Sequence, residues 1–355
     1  MNTLDKKNVN KNNNIHKSSF KNKNNKINFQ AQFLVSEKIQ NNNNNNNHNI
    51  SNLNNTSEIT TNPNITQDKS LFSSPSERIY IGKYVGGQKN GQGKLLLPNE
   101  SEYEGNFKNN EFDGYGVFKS KTYNYWGNFI EGKKNGKGKY EDLIKDSIYE
   151  GEFVDDKKNG YGEEKYNDGI IYKGQFKDGL KEGKGTLILK KNKNETDIYE
   201  GEFKEDKICG IGRIIFNNKN EYYGEWENNE MTGYGMFLDG QVRFFGYFEH
   251  NMKEGFGALF YEDQSYALLG KWEEDLCEGP SILIQLNKRK NKENVLENDN
   301  IIVGMYKGEI INMNLGIEDI NTFKSSEDYQ EMTELFKNKF YPDFLKYINN
   351  SNDKE

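Results

Sequence analysis

Of 355 residues only three are histidines and two are cysteines, so the side chains that build most acid–base, nucleophilic and metal sites are nearly missing. His16 and His48 fall in an asparagine-rich stretch, which leaves His250 alone in the patterned part of the chain. A lone histidine after Phe248, in a turn, reads as a solvent-exposed residue. Cys209 and Cys277 form no Cys-x-x-Cys pair and suit a reducing compartment. No run of 18 apolar residues occurs, so no membrane-spanning helix is expected. The start Met1-Asn2-Thr3-Leu4 has neither the glycine of a myristoylation signal nor the apolar core of a signal peptide. Positive charge is also short: the first 70 residues carry about +5 and the rest about −12, together the net −7. A basic face for nucleic acid is therefore not expected. These absences predict a soluble, cytoplasmic protein that is no enzyme and has no cofactor, metal site or small-molecule substrate.

Glycine is what the chain has in order. Nine residues on from Gly82, Gly105, Gly127, Gly151, Gly174, Gly201, Gly224, Gly246 and Gly270 stands another glycine, and in eight cases a third follows two residues later. The leading glycines are 23, 22, 24, 23, 27, 23, 22 and 24 residues apart. All the length variation thus lies between units, and a fixed short period means stacked supersecondary elements.

Within a unit the alternation has period two. Tyr103, Gly105 and Phe107 point one way and Glu104 and Asn106 the other, as in a half-buried strand. Leu95, Phe118, Tyr140, Leu187, Ile214, Phe237 and Leu259, two residues beyond the last glycine of their units, continue the buried face. Each unit reads as a β-hairpin whose constant interval holds the register. The glycines are expected to fall opposite aromatics of neighbouring strands, leaving room for a ring or for close backbone approach. Parity places Trp226 and Trp272 on the aromatic face and Trp126, one residue before its glycine, on the opposite one. Gly183-Lys184-Gly185-Thr186 lacks the earlier glycine of a phosphate loop and follows a strand turn, so it belongs to the repeat.

The frame Tyr149-Glu150-Gly151-Glu152-Phe153, followed by Asn159-Gly160-Tyr161-Gly162, resembles the MORN (membrane occupation and recognition nexus) repeat. Nine consecutive copies carry the resemblance over roughly residues 78–315. The ninth departs from it at Gly279-Pro280-Ser281, and a degenerate tenth lies around Ile302-Val303-Gly304-Met305-Tyr306. The resemblance implies an all-β fold: an elongated, single-layer, twisted antiparallel sheet built hairpin by hairpin.

Outside the array, residues 1–76 are rich in Asn, Lys and Ser, with an unbroken run from Asn41 to Asn47. Too few apolar residues are present to offset ordering entropy, and disorder is expected. Residues 316–355 read as a helical cap: Ser325 or Ser326 can start a helix carrying Met332, Leu335, Phe336 and Phe340, interrupted at Pro342 and resumed through Phe344, Leu345, Tyr347 and Ile348. Folding back over the last hairpin and docking to a partner are both open to it.

Two functions fit. A rigid sheet much longer than stability needs suits a non-catalytic scaffold that binds a protein partner or itself. Similarity to MORN proteins implies a cytoskeletal, ciliary or cortical setting. Its sharpest local hint is a row of outward aromatics between paired glycines, Tyr115, Tyr161, Tyr234 and Phe256, which are a protein interface unless a helix or a twisted neighbour covers them. The alternative is a peripheral adaptor for phosphoinositides or other anionic lipids, for which the basic clusters are Lys133, Lys134, Lys137 and Lys139, or Lys288, Arg289, Lys290 and Lys292.

Overall fold

The computed structural model describes residues 59–60, 78–190, 192, 194–240, 242–261, 266–286, 301–307, 310–312 and 317–352. They fall in two compact units, one ending at Gly240 and one of the described residues from 242 on.

The first unit is all β. After β1 (Ile59–Thr60) come hairpins from β2 (Ile79–Val85) and β3 (Gln88–Leu96), β4 (Glu102–Lys108) and β5 (Glu111–Lys119), β6 (Tyr123–Ile130) and β7 (Lys133–Asp142), and β8 (Ser147–Val154) and β9 (Lys157–Tyr166). Three more follow: β10 (Ile170–Lys177) with β11 (Leu180–Lys190), β12 (Thr196–Lys204) with β13 (Lys207–Ile215), and β14 (Glu221–Glu227) with β15 (Glu230–Asp239). Each of these hairpins pairs antiparallel with the next, as in β5 with β6 and β7 with β8. Within the stretch read as a tail, β1 pairs in parallel with Ile79 and Tyr80 of β2. The other residues of 1–76 lie outside those described.

A single sheet has no second layer to bury its side chains, so the core is built along one face. Tyr103, Tyr125, Tyr149, Tyr172, Tyr199 and Tyr222 are fully buried there. Each tyrosine sits edge-on to the aromatic four residues later, as Tyr149 does to Phe153 at 5.2 Å, and Tyr103, Tyr125, Tyr149, Tyr172 and Tyr199 do the same to an aromatic of the following hairpin, as Tyr149 does to Phe176 at 5.0 Å. Edge-to-face pairs of this kind stabilise by about 0.5–1.5 kcal/mol beyond area burial. Repeated hairpin after hairpin, they replace a two-layer core.

The middle glycines lie opposite aromatics of the neighbouring strand, as the spacing suggested, Gly136 facing Phe153 and Gly160 facing Phe176. The leading and last glycines do not. They pair with each other: Gly151 faces Gly138 on one side and Gly162 on the other. The ring above each such pair comes from the strand of the leading glycine, which is the neighbouring strand for the last one. A Cβ on Gly151 would stand 2.3 Å from the Tyr149 hydroxyl oxygen, and one on Gly162 would stand 2.4 Å from the same ring. Tyr149 thus lies across both, with its hydroxyl donating to the Glu152 carbonyl at 3.0 Å. Burial pushes the Tyr149 phenol well above its ordinary pKa, which keeps that proton in place. A straight alternation could not reveal this, because which ring covers a glycine depends on side-chain direction as well as on spacing.

The middle glycine of each unit has a different task. Gly160 has φ +63° and stands where β9 carries two more residues than β8, between the Gly151–Gly162 and Phe153–Lys158 pairs. A bulge of this kind needs a residue that tolerates the left-handed region. An even number of extra residues preserves parity, so Tyr161 emerges on the face away from Tyr149.

The hairpin tips are also locked. Asp155 and Asp156 both have positive φ, 46° and 70°, as a type I′ turn requires. The second turn residue then reaches back to the previous hairpin. The Asp156 N–H donates to the Lys134 carbonyl at 3.0 Å, and the same contact is made by Asn110 to Lys89, Asp206 to Lys181 and Asn229 to Ile208.

The second unit contains β16 (Val242–Glu249), β17 (Met252–Tyr261), β18 (Tyr266–Glu273), β19 (Leu276–Gln285), β20 (Ile301–Lys307) and β21 (Ile310–Asn312). Helices α1 (Ile317–Lys324), α2 (Glu327–Leu335) and α3 (Tyr341–Asn352) follow, so the short helical C-terminal segment is present. Phe244 replaces the tyrosine over Gly246 and Gly257. Both sheet faces of β16–β19 are buried, because Phe260 stacks on Phe344 at 4.0 Å and on Phe336 at 5.9 Å. Ser326 caps α2, accepting from the Tyr329 N–H at 3.2 Å. Pro342 does not interrupt the helical run as expected. It stands in the first turn of α3, after a wider π turn (Phe336–Phe340) in which the Tyr341 N–H bonds the Phe336 carbonyl five residues back. The buried side chains Met332, Phe336, Phe340 and Phe344 stay in line across that turn.

Candidate protein-binding groove

Trp226 and Trp272 are buried on the ring-bearing face, whereas Trp126, one residue before Gly127, is half-exposed on the other. The parity read from the sequence therefore holds. Trp126 and the bulge-following residues Tyr115 and Tyr161 rise from the same side of the first unit. The two tyrosines are 58% and 63% exposed, although each stands in the middle of a strand.

Between them lies a groove of about 820 Å³, floored by Gly127, Gly138 and Gly151 and walled by Tyr115, Trp126, Ile148 and Tyr161. Glycine pairs make the floor low because no Cβ rises on either face. A second depression of about 430 Å³, reaching Gln92 and Val117, lies on the other flank of Tyr115 and Trp126, so these two rings form a ridge. The charges beside the groove are mostly matched: Lys139 with Glu150 at 3.1 Å, and Lys173 with Glu163 at 2.8 Å. Hydrogen bonds from Lys165 and Lys173 hold the Glu163 carboxyl below its ordinary pKa.

Of the four outward aromatics, Tyr115 and Tyr161 share the groove. Tyr234, half-buried on β15, does not line it, and its N–H donates to Glu225 at 3.1 Å. Phe256 stands in the second unit under the Lys271 ammonium, 5.9 Å from its ring centre. Trp126 and Ile148 complete the groove, and Ile211 and Tyr223 are exposed on the same face. Trp126, Ile148 and Tyr223 could have been found by extending the parity argument beyond the positions between glycines, and Ile211 stands at such a position, between Gly210 and Gly212.

The four candidate lysines are not brought to one place. Lys137 and Lys139 line the groove. Lys133 is at the hairpin tip beside Asp155, 3.4 Å away. Lys134 turns to the opposite face, over the rings of Tyr123 at 5.0 Å and Tyr140 at 5.5 Å, and pairs with Asp156 at 3.4 Å. Burial lowers its pKa against the pull of Asp156. Residues 288–292 lie outside the described residues.

An open sheet of stacked hairpins, with one face filled by rings and the other grooved, defines a tandem-hairpin repeat protein of the adaptor kind. The MORN repeat matches at residues 80–102, 103–125, 125–142, 149–171, 172–192, 199–221, 222–240 and 244–266, and the chain belongs to the MORN-repeat family. Alsin of Homo sapiens and of Mus musculus is similar, 29% identical over 214 residues, which is 59% of this chain and 9% of alsin. Alsin of Rattus norvegicus matches at 29% over 117 residues, 31% of this chain and 6% of that protein. The chain thus spans less than a tenth of the length of these curated relatives. Among the described residues no helix is long and apolar enough to cross a membrane.

Proposed function

We propose that this protein is a non-catalytic scaffold that holds a protein partner on the grooved face of its first unit, within a cytoskeletal, ciliary or cortical assembly. The observation that carries this reading is the exposure of Tyr115 and Tyr161 on either side of Trp126. Large rings raised above a glycine floor contribute nothing to the sheet's own core, and aromatic anchors beside a pocket are the usual centre of a protein interface. Most of the charges around them are paired, so the face offers shape and apolar area in place of a strong field. An anionic lipid surface is the second reading. It draws on the exposed Lys137 and Lys139 and loses support from the diversion of Lys134 to the opposite face.

Photo-cross-linking in cells separates the two. A benzophenone amino acid at position 115 or 161 should give discrete protein adducts, or adducts between copies of this chain, while the same probe at Lys177 should not. Recovery of lipid adducts alone would overturn the scaffold reading.

A further inference from the structure

The groove's periodicity and its one ammonium outside the ion pairs of the described residues, that of Lys137, suggest what it holds. We propose that it seats a polyproline-II segment bearing a single carboxylate, laid across the strands from Tyr115 to Tyr161; this rests on the protein-binding reading above and specifies its partner.

The residues between paired glycines project from every second strand: Tyr115 from β5, Lys137 from β7 and Tyr161 from β9. Neighbouring strands lie about 4.8 Å apart, so this row repeats about every 9.6 Å. A polyproline-II helix has three residues per turn and a rise of about 3.1 Å, and presents the same side about every 9.3 Å. Residues i, i+3 and i+6 of such a segment therefore meet ring, ammonium and ring with a mismatch of roughly 0.6 Å over the whole row.

The middle position asks for an anion. Lys139 and Lys173 are each paired with a glutamate, whereas Lys137 forms no ion pair among the described residues. Its cross-strand neighbour Glu152 turns its carboxylate against Gly160. A polyproline-II backbone also leaves its carbonyls without internal partners. The Trp126 indole N–H and the Tyr115 and Tyr161 hydroxyls stand beside the groove, where they can donate to those carbonyls.

An apolar helix fits less well, and the second unit shows why. There α2, the π turn and α3 lie over flat, apolar positions such as Ala258 and Leu269. The corresponding positions of the first unit, one residue after and one before the paired glycines, are Lys139 and Glu150. A helix would have to desolvate that ion pair. A slender proline segment touches the ring row and leaves the pair in water.

The test is titration of the full chain with the acetylated peptide Pro-Pro-Ala-Glu-Pro-Ala-Pro-Pro, its Glu-to-Lys analogue, and a peptide copying residues 327–352 as a helical control. Saturable binding of the first peptide, weakened about tenfold by the lysine analogue and by Tyr115→Ala or Tyr161→Ala, supports the proposal. Recovery of the lysine analogue's binding by Lys137→Glu supports it further. These side chains are solvent-facing, so unchanged thermal melts will show the variants folded. Equal binding of the two charge forms, or no saturable binding of the proline peptide, overturns it. Should the helical control saturate the groove instead, protein binding stands and the polyproline occupant falls.

Discussion

Asp156 grips Lys134 on the preceding hairpin by two reciprocal backbone bonds, its N–H donating to the Lys134 carbonyl at 3.0 Å and its carboxylate accepting from the Lys134 N–H at 3.0 Å. Asp206 on Lys181, Asn229 on Ile208 and Asp275 on Lys253 repeat the pair of contacts. The turn residue therefore does two things: it tolerates φ +70° and it fixes the step from one hairpin to the next. Asp156→Asn keeps the acceptor and the backbone tolerance and loses only the ion pair to the Lys134 ammonium, at about 1 kcal/mol. Asp156→Ala loses the bond and strains the turn, at about 2 kcal/mol. Urea denaturation of both variants checks the difference, and equal midpoints would show the clamp to be incidental.

The two kinds of glycine should fail differently. Gly151→Val drives a branched side chain into the Tyr149 ring and the Gly162 backbone, 2.7 Å away, and should cost on the order of 1–3 kcal/mol or more. Gly169→Ala meets only Lys190, at 3.0 Å, and suffers chiefly from its φ of +92°, for about 1 kcal/mol. Adding Tyr149→Ala opens space at position 151 alone. It should therefore soften the Gly151→Val penalty and leave the Gly169→Ala penalty unchanged, as a double-mutant cycle would show.

Glu164 is a buried carboxylate at a position where other units place Leu187 or Ile214. Burial would raise its pKa, but the Lys158 and Lys181 ammoniums and a hydrogen bond from Tyr166 outweigh that and hold it below the ordinary value of 4.5. A depressed folded pKa means that its stabilisation is complete above about pH 4.5 and is lost as pH falls through the lower folded value. Glu164→Gln should be several kcal/mol less stable at pH 7, because it strands a buried ammonium. The gap to wild type should narrow on going to pH 3. Urea midpoints across that range test it, and a gap independent of pH would rule out the ionised carboxylate as its cause.

The tryptophans report the two faces. Trp226 is buried between Tyr199 and Tyr222, at 5.2 and 5.4 Å, and its indole N–H donates to the Gly212 carbonyl at 3.2 Å. Trp226→Ala should cost about 3–5 kcal/mol. Trp126→Ala should cost less than about 1 kcal/mol, while removing part of the groove wall. Denaturation followed by far-ultraviolet circular dichroism distinguishes them.

On the covered face of the second unit, Phe344 meets both Phe260 and Phe245, the latter at 6.2 Å. Phe344→Ala should destabilise by about 3–5 kcal/mol and expose the apolar surface beneath. Increased binding of a hydrophobic dye below the unfolding transition is the expected signature, and an unchanged signal would mean that the helix does not protect this face.

The sequence alone determined the hairpins, their register and the side on which each residue emerges, because period two and a constant glycine interval are local properties of the chain. That was enough to place Tyr115 and Tyr161 outward and to set Trp126 against Trp226. Only the tertiary structure decided what those residues meet. The leading and last glycines face each other because of inter-strand pairing, and one tyrosine covers both because it folds forward along the leading strand. That Lys134 and Lys137 part follows from parity, which the even bulge preserves, but that Lys134 lies over the rings of Tyr123 and Tyr140 is a contact through space. The second face of β16–β19 is closed because a helix distant in sequence reaches it. Pairing partners, side-chain direction and long-range cover are relations through space, and a repeating pattern along the chain does not encode them.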